Sequence, residues 1–270
     1  MSTRIDVKKL QEGLQTRRLG KKIFFTQSVS STNDWSKELA TFGAQEGTVA
    51  IAQTQTAGRG RLDREWISPE GGLWLSLILR PKIPAKNATA LVFVAGLAVA
   101  ETLRECYGLI VETKWPNDVL VNKRKICGIL TEMKTTGEKI NYVSIGIGLN
   151  ANLDVEKVFP AELKKTVTSL EKETGKKIRL EGLFRALMQK LETLYDLFLN
   201  EGSTPILLGW KKYASFLGCQ VDAENESETL SGVAYDVNND GALILKLTDG
   251  TIKEIHVGDI TVRTTQTWES

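Results

Sequence analysis

The sequence predicts an α/β (α+β) protein, in which a β-sheet with flanking helices is followed by a small β-barrel. Three observations support this. Apolar runs at 48–52, 72–80 and 140–150 have the length and composition of buried or half-buried strands. Leu180, Leu183, Phe184, Leu187, Leu191, Leu194, Tyr195 and Phe198 recur at helical spacing, giving a long amphipathic helix to about Asn200. From Gly218 onward the texture changes to short alternating runs separated by turn residues. A chain of 270 residues suits one sizeable domain, 1–217 with 1–21 as an N-terminal extension, plus a small one, 218–270.

From the N-terminus, residues 5–16 read as a short helix and 21–26 as the first strand. Ser31 followed by Asp34 has the pattern of a helix start, a hydroxyl N-cap and then an acid. On local pattern Ser31, Thr32 and Asn33 read first as capping residues, and a compatible second reading has them face a polar ligand, because a helix N-terminus offers free N–H groups beside them. Residues 87–106 are apolar all round and read as a buried helix. The strand 110–114, a Trp-Pro turn, 119–121, the turn 122–125 and 126–133 make a hairpin with three cations at its tip, of which Lys123 and Arg124 read as solvated. In the strand 140–150, Gly146 and Gly148 suggest close approach by a ligand or another backbone. Residues 151–175 lack a period and read as a mobile connection with a short helix, and 205–216 as a second helix. The barrel strands are expected at 220–224, 229–235, 242–247, 251–256 and 261–263.

Composition excludes several classes of function. A net charge of +2 gives no bulk pull toward nucleic acid or acidic membrane. Cys106, Cys127 and Cys219 are far apart, which argues against a disulfide framework or zinc knuckle and fits a reducing cytosol. The N-terminus lacks the apolar core of a secretion signal, and the most apolar segment, 88–100, is too short to span a bilayer. A cytoplasmic protein with no membrane partner is expected. His256 is the single histidine, so Ser–His–Asp, Cys–His or His-metal chemistry would rest on one residue.

Two clusters remain. Between the strands 48–52 and 72–80 lies Gln55-Thr-Ala-Gly-Arg-Gly-Arg-Leu-Asp-Arg-Glu-Trp66. Gly58 and Gly60 let main chain approach a ligand, while Arg59, Arg61 and Arg64 bring permanent charge, so the loop suits a small anion. The same composition also serves as a flexible connector. The second cluster is Lys114-Trp-Pro-Asn-Asp118 with Lys125, whose stem should lie on the core because it precedes the apolar run 126–130.

Ser31-Thr-Asn33, Gln55-Thr-Ala-Gly-Arg-Gly-Arg61 with Trp66, Lys114-Trp-Pro-Asn-Asp118, Lys125-Ile-Cys-Gly-Ile-Leu130 and Gly146-Ile-Gly-Leu-Asn150 occur in the order and spacing of biotin protein ligases, which the chain resembles from about residue 22 to its end. The resemblance implies a mixed sheet akin to class II aminoacyl-tRNA synthetases and an SH3-like barrel. It also implies a two-step reaction. Biotin and MgATP give biotinyl-5′-AMP and diphosphate, and the biotinyl group then passes to one lysine of a biotin carboxyl carrier protein domain.

Carried onto this chain, the resemblance makes Lys125 and Arg59 catalytic. It gives biotin Ser31, Thr32, Asn33, Gln55, Arg59, Gly60, Arg61, Lys125 and Gly128. It gives ATP Arg59, Arg61, Trp66, Lys114, Asn117, Asp118, Lys125 and Asn150, with Mg²⁺ arriving on the nucleotide and no metal ligands assigned. Trp66, Leu130 and the bare backbone at Gly146 are expected as apolar walls, and Lys114 either supports the phosphates or pairs with Asp118. About 21 residues precede the first strand, too few for a three-helix DNA-binding domain. The monofunctional type without operator binding is expected, although truncation of a longer protein would look the same. A sheet edge offers pairing of two copies, as in several relatives. Lipoate–protein ligase and a non-catalytic biotin sensor stand as the alternatives.

Overall fold

A computed structural model describes residues 4–224 and 228–263, so the start of the first expected domain and the end of the second lie outside the described residues. Seven strands form the main sheet: β1 (Ile23–Val29), β2 (Val49–Gln55), β3 (Leu73–Leu79), β4 (Val111–Lys114), β5 (Asp118–Val121), β6 (Arg124–Thr136) and β7 (Lys139–Leu149). Their order is β1-β2-β3-β7-β6-β5-β4, with β1 and β2 parallel and every other neighbouring pair antiparallel. The sheet is therefore mixed.

Burial on both faces explains the unbroken apolar runs. In β3, Leu73, Leu75, Leu77 and Leu79 join the main core, beneath α3 (Leu91–Tyr107) and α6 (Leu180–Glu201). The alternate residue Ile78 packs with Ala40 of α2 (Thr32–Thr41) and Tyr142 on the other face. Ahead of β1, α1 (Val7–Gln11) is shorter than the 5–16 expected. The segment after it is tied to α6, where the Glu192 carboxylate accepts backbone N–H groups from Arg17 (2.6 Å), Arg18 (2.8 Å) and Leu19 (3.0 Å).

Two sequence expectations are corrected. The hairpin turn is only Asn122 and Lys123, both left-handed (φ 49° and 61°), so Arg124 and Lys125 belong to β6. Arg124 is not a solvated tip but pairs with Glu173 at 2.7 Å. Residues 151–175 are also not a loose connection. They hold α4 (Val155–Val158) and α5 (Leu170–Thr174), and between these a strap bonds to the sheet through main chain. Lys125 N donates to Thr166 O (2.7 Å), Thr168 N to Lys125 O (2.9 Å) and Leu170 N to Asn150 O (2.9 Å). Val155, Phe159 and Val167 bury with Trp74. Long-range hydrogen bonds order this stretch rather than a local period.

After α6, α7 (Ser203–Lys211) stops short of the 205–216 expected. The second sheet then carries β8 (Gln220–Glu224), β9 (Thr229–Val237), β10 (Leu243–Leu247), β11 (Ile252–Ile255) and β12 (Asp259–Val262) in the order β11-β10-β9-β8-β12, the SH3-like part of the fold. It meets the first part where the Trp115 indole donates to Gly241 O (2.9 Å) and Lys211 pairs with Asp236 (2.6 Å). No helix among the described residues is long and apolar enough to cross a membrane.

Candidate active site

A cavity of about 450 Å³ opens between the N-terminus of α2, the Gly/Arg loop and the faces of β5, β6 and β7. Ser31, Thr32, Asn33, Gln55, Arg59, Gly60, Arg61, Trp66, Asn117, Asp118, Lys125, Gly128 and Asn150 all line it. Lys114 does not. It sits on the edge strand β4, one strand beyond the wall that Asp118 forms. Nor does it take Asp118 as an ion partner, since that carboxylate lies 2.7 Å from Lys125 Nζ.

The start of α2 is capped in an unexpected way. The Ser31 hydroxyl makes no capping bond. Instead Gln55 Oε1 accepts from the Thr32 backbone N–H (2.7 Å) and hydroxyl (3.1 Å), while Gln55 Nε2 donates to Ser68 Oγ (2.8 Å). The glutamine carboxamide thus fixes the helix against the loop, and the serine hydroxyl is left at the cavity wall. Asn33 is likewise committed to the scaffold. Its Oδ1 accepts from Ser76 (2.6 Å), and its Nδ2 donates to Leu130 O (3.1 Å) and Glu132 Oε2 (2.8 Å). Gly146 is needed for this contact, since a Cβ there would lie 2.3 Å from Asn33 Oδ1. Asn33 thus fills the place of a Gly146 side chain, and Gly146 lines the cavity as expected, as do Trp66 and Leu130.

The Gly/Arg loop is a tight hairpin. Gly60 N donates to Arg64 O (2.7 Å) and Trp66 N to Gly58 O (2.8 Å), with Leu62 and Asp63 left-handed at its tip. It returns Trp66 across two glycines that face each other in the β6–β7 register, Gly128 and Gly148. A Cβ on Gly148 would lie 2.4 Å from the indole Nε1, and one on Gly128 2.9 Å from Cζ3. The glycine pair thus makes a flat floor for the ring. Lys125 Nζ lies 5.1 Å from the ring centroid, within cation–π range.

The cations are held by acids. Arg59 pairs with Asp34 (2.5 Å) and lies 3.6 Å from Glu132, and Lys37 bridges the same two carboxylates at 2.9 and 2.8 Å. Burial alone would lower the Lys37 ammonium, but hydrogen bonds to Glu132 and Asp34 leave it raised. Arg61 reaches Asn117 Oδ1 (3.3 Å), Gly258 O (3.1 Å) and Asp259 (3.3 Å). Burial holds its guanidinium below the ordinary value, against the opposing pull of Asp259 and Asp118. Three buried polar atoms of the wall have no partner among the described residues: Trp66 Nε1, Asn150 Oδ1 and Arg59 Nε. Such atoms are costly unless something pairs with them.

Sequence reasoning missed part of the wall. Phe159, Pro160, Leu163 and Val167 come from the strap, and Asp259 from the second sheet. The buried apolar positions of the strap follow no regular spacing, and the only local signal at Asp259 is the preceding Gly258 turn. His256 is exposed and lies outside the wall.

A cavity that gathers Arg59, Arg61, Arg64 and Lys125 against paired acids beneath a Gly/Arg hairpin, on a mixed sheet followed by a small β-domain, has the parts a ligase needs to bring two anionic substrates together. Residues 25–150 match the Biotin/lipoate A/B protein ligase family, and residues 216–263 match the Biotin protein ligase C terminal domain. The Bifunctional ligase/repressor BirA of Bacillus subtilis is 40% identical over 249 residues, covering 92% of this chain and 76% of that protein. The Biotin--[acetyl-CoA-carboxylase] ligase of Paracoccus denitrificans is 34% identical over 220 residues, 80% of this chain and 90% of the relative. Among solved structures, the biotin protein ligase of Aquifex aeolicus in complex with biotin and ATP superposes with a TM-score of 0.78 at 29% identity, over 91% of this chain and 100% of that one. The chain belongs to the biotin protein ligase family.

Proposed function

We propose that this chain joins biotin to ATP as biotinyl-5′-AMP and diphosphate, then transfers the biotinyl group to one lysine of a biotin carboxyl carrier domain of a carboxylase. The observation that carries the reading is the convergence of Lys125, Arg59 and Arg61 on one cavity with an apolar floor and unpaired buried polar atoms. The first step brings a carboxylate to the α-phosphorus of a polyanion. Fixed cations overcome that repulsion, since two unit charges 4 Å apart interact by about 4 kcal/mol at an effective dielectric near 20.

Lys125 is assigned to the biotin carboxylate and the α-phosphate, with Asp118 holding its ammonium until they arrive. Arg59 exchanges its Asp34 contact for the two substrates, and Arg61 faces the nucleotide. The Ser31 hydroxyl faces biotin's ureido ring, because a hydroxyl both gives and accepts hydrogen bonds, and the Thr32 hydroxyl, which donates to Gln55 and accepts from Ser76, keeps one lone pair for it. With the carboxamides of Gln55 and Asn33 committed to α2 and the sheet, these two residues act by placing that wall. Asn150 Oδ1 is the free acceptor for an exocyclic amino group of the base. Mg²⁺ would enter with ATP, and Asn117 and Asp118 would offer it a carboxamide and a carboxylate oxygen in competition with Arg61 and Lys125.

In the second step the lysine attacks as a free amine and adenylate leaves as AMP. The exposed His256 is given no part in it. DNA binding is not part of the proposal. The test is to incubate the full chain with MgATP, a carrier domain and equal biotin and lipoate, then weigh the carrier. Gain of one biotinyl group supports the reading. A lipoyl group would assign the lipoate branch of the family, and biotin binding with no diphosphate release would assign a sensor.

A further inference from the structure

Glu173 has a side chain only 4% exposed, yet it ends in a carboxylate held by three donors. Its Oε1 accepts from Arg124 Nη2 at 2.7 Å and from the Thr168 hydroxyl, and its Oε2 accepts from Asn122 Nδ2 at 2.7 Å. Asn122 opens the turn and Arg124 follows it, leading directly into Lys125. Thr168 belongs to the strap whose main chain brackets Lys125, accepting its N–H through Thr166 O (2.7 Å) and donating Thr168 N to its carbonyl (2.9 Å). The same strap supplies Phe159, Leu163 and Val167 to the cavity wall. One buried acid therefore ties the turn before Lys125 to the strap beside it, and Arg124 has no other ion partner among the described residues.

We infer that Glu173 is a positioning residue for adenylate formation, fixing the Lys125 main chain and the strap wall as one unit. This rests on the assignment of Lys125 to the reacting phosphate given above. Removing the buried charge while keeping the shape, as in Glu173→Gln, leaves Arg124 without its acid and sets an amide donor against the donors already present. The strap then loosens from β6, and the ammonium loses its fixed place. Biotin's other contacts, at Ser31 and Thr32, stand on α2 and share no partner with Glu173.

The test measures biotin-dependent ATP–diphosphate exchange with the full chain, and biotin affinity by calorimetry without nucleotide. The variants are Glu173→Gln, Arg124→Met, their double, Lys125→Met and, as a control, the exposed Lys123→Ala. Glu173→Gln and Arg124→Met are each expected to lower kcat and raise the KM for ATP on the order of tenfold, as small misplacements of a reacting group do. Biotin affinity should fall by less than kcat does, because Ser31 and Thr32 are untouched, and the double variant should stay within about twofold of the worse single, because the pair acts as a unit. Should Glu173→Gln fail to fold, Arg124→Met decides from the partly exposed side of the same pair. Exchange within twofold of the parent chain overturns the inference, as do losses that multiply in the double or biotin affinity that falls in step with kcat. Normal exchange in Lys125→Met would remove the underlying assignment instead, whereas a dead Lys125→Met beside a normal Glu173→Gln defeats the Glu173 role alone.

Discussion

Gly148→Ala puts the glycine floor under Trp66 to a direct test. The added Cβ would lie 2.4 Å from the indole Nε1, 2.6 Å from Cε2 and 3.0 Å from Cζ2. Carbon and nitrogen atoms rest at about 3.5–4.0 Å, so the ring must withdraw by roughly 1 Å. It cannot slide freely, because its edge meets Trp74 with centroids 6.5 Å apart and Lys125 Nζ lies over its face. The ring must move into the cavity instead. Overpacking of this kind costs about 1–3 kcal/mol, and a wall displaced by 1 Å lowers kcat/KM on the order of tenfold to a hundredfold. Biotin-dependent diphosphate exchange and a thermal melt measure both effects. In a Trp66→Leu background the obstacle is gone, and Gly148→Ala should add little. A Gly148→Ala enzyme within twofold of the parent, or an equal penalty in the Trp66→Leu background, would refute the floor.

Limited trypsin digestion should cut after Arg59 and Arg61 in the free chain and be slowed by biotin with MgATP, as the hairpin closes over the adenylate and excludes water. Identical cleavage with and without ligands would count against a closing loop. Glu192→Gln should cost about 2 kcal/mol at neutral pH through loss of charge-assisted bonds to Arg17, Arg18 and Leu19. Burial alone would raise this carboxyl, but those three N–H donors hold it below its ordinary value. Its stabilisation is therefore present above the unfolded value and lost as pH falls through the lowered folded one. Melts from pH 7 to pH 3 should show a shallower acid limb in Glu192→Gln, and parallel limbs would reject the linkage.

The strands and the long helix were legible because burial on one or two faces writes a period into the residues themselves. Arg59, Arg61 and Lys125 were legible because cations beside glycines or an apolar run stand out locally. The role of Gln55 was not. Its carboxamide caps a helix that starts 23 residues earlier, while the serine with the local pattern of a cap makes no capping bond. Lys114 had the right neighbours in sequence but sits on an edge strand, a fact of sheet order that spacing does not carry. The strap at 151–175 looked loose because its order comes from backbone bonds to Lys125 and Asn150 and from helices of four and five residues. Asp259 meets Arg61 across 198 positions of sequence, beyond any local signal.

The most direct measurement is biotin-dependent ATP–diphosphate exchange in Lys125→Met, with biotin binding and melting temperature recorded on the same sample. An ammonium about 4 Å from the reacting anions supplies about 4 kcal/mol, so exchange should fall roughly a thousandfold while the fold is kept. Exchange at or near the parent rate would show that an acid and a nucleotide meet in this cavity without that cation, and the proposed mechanism would not stand.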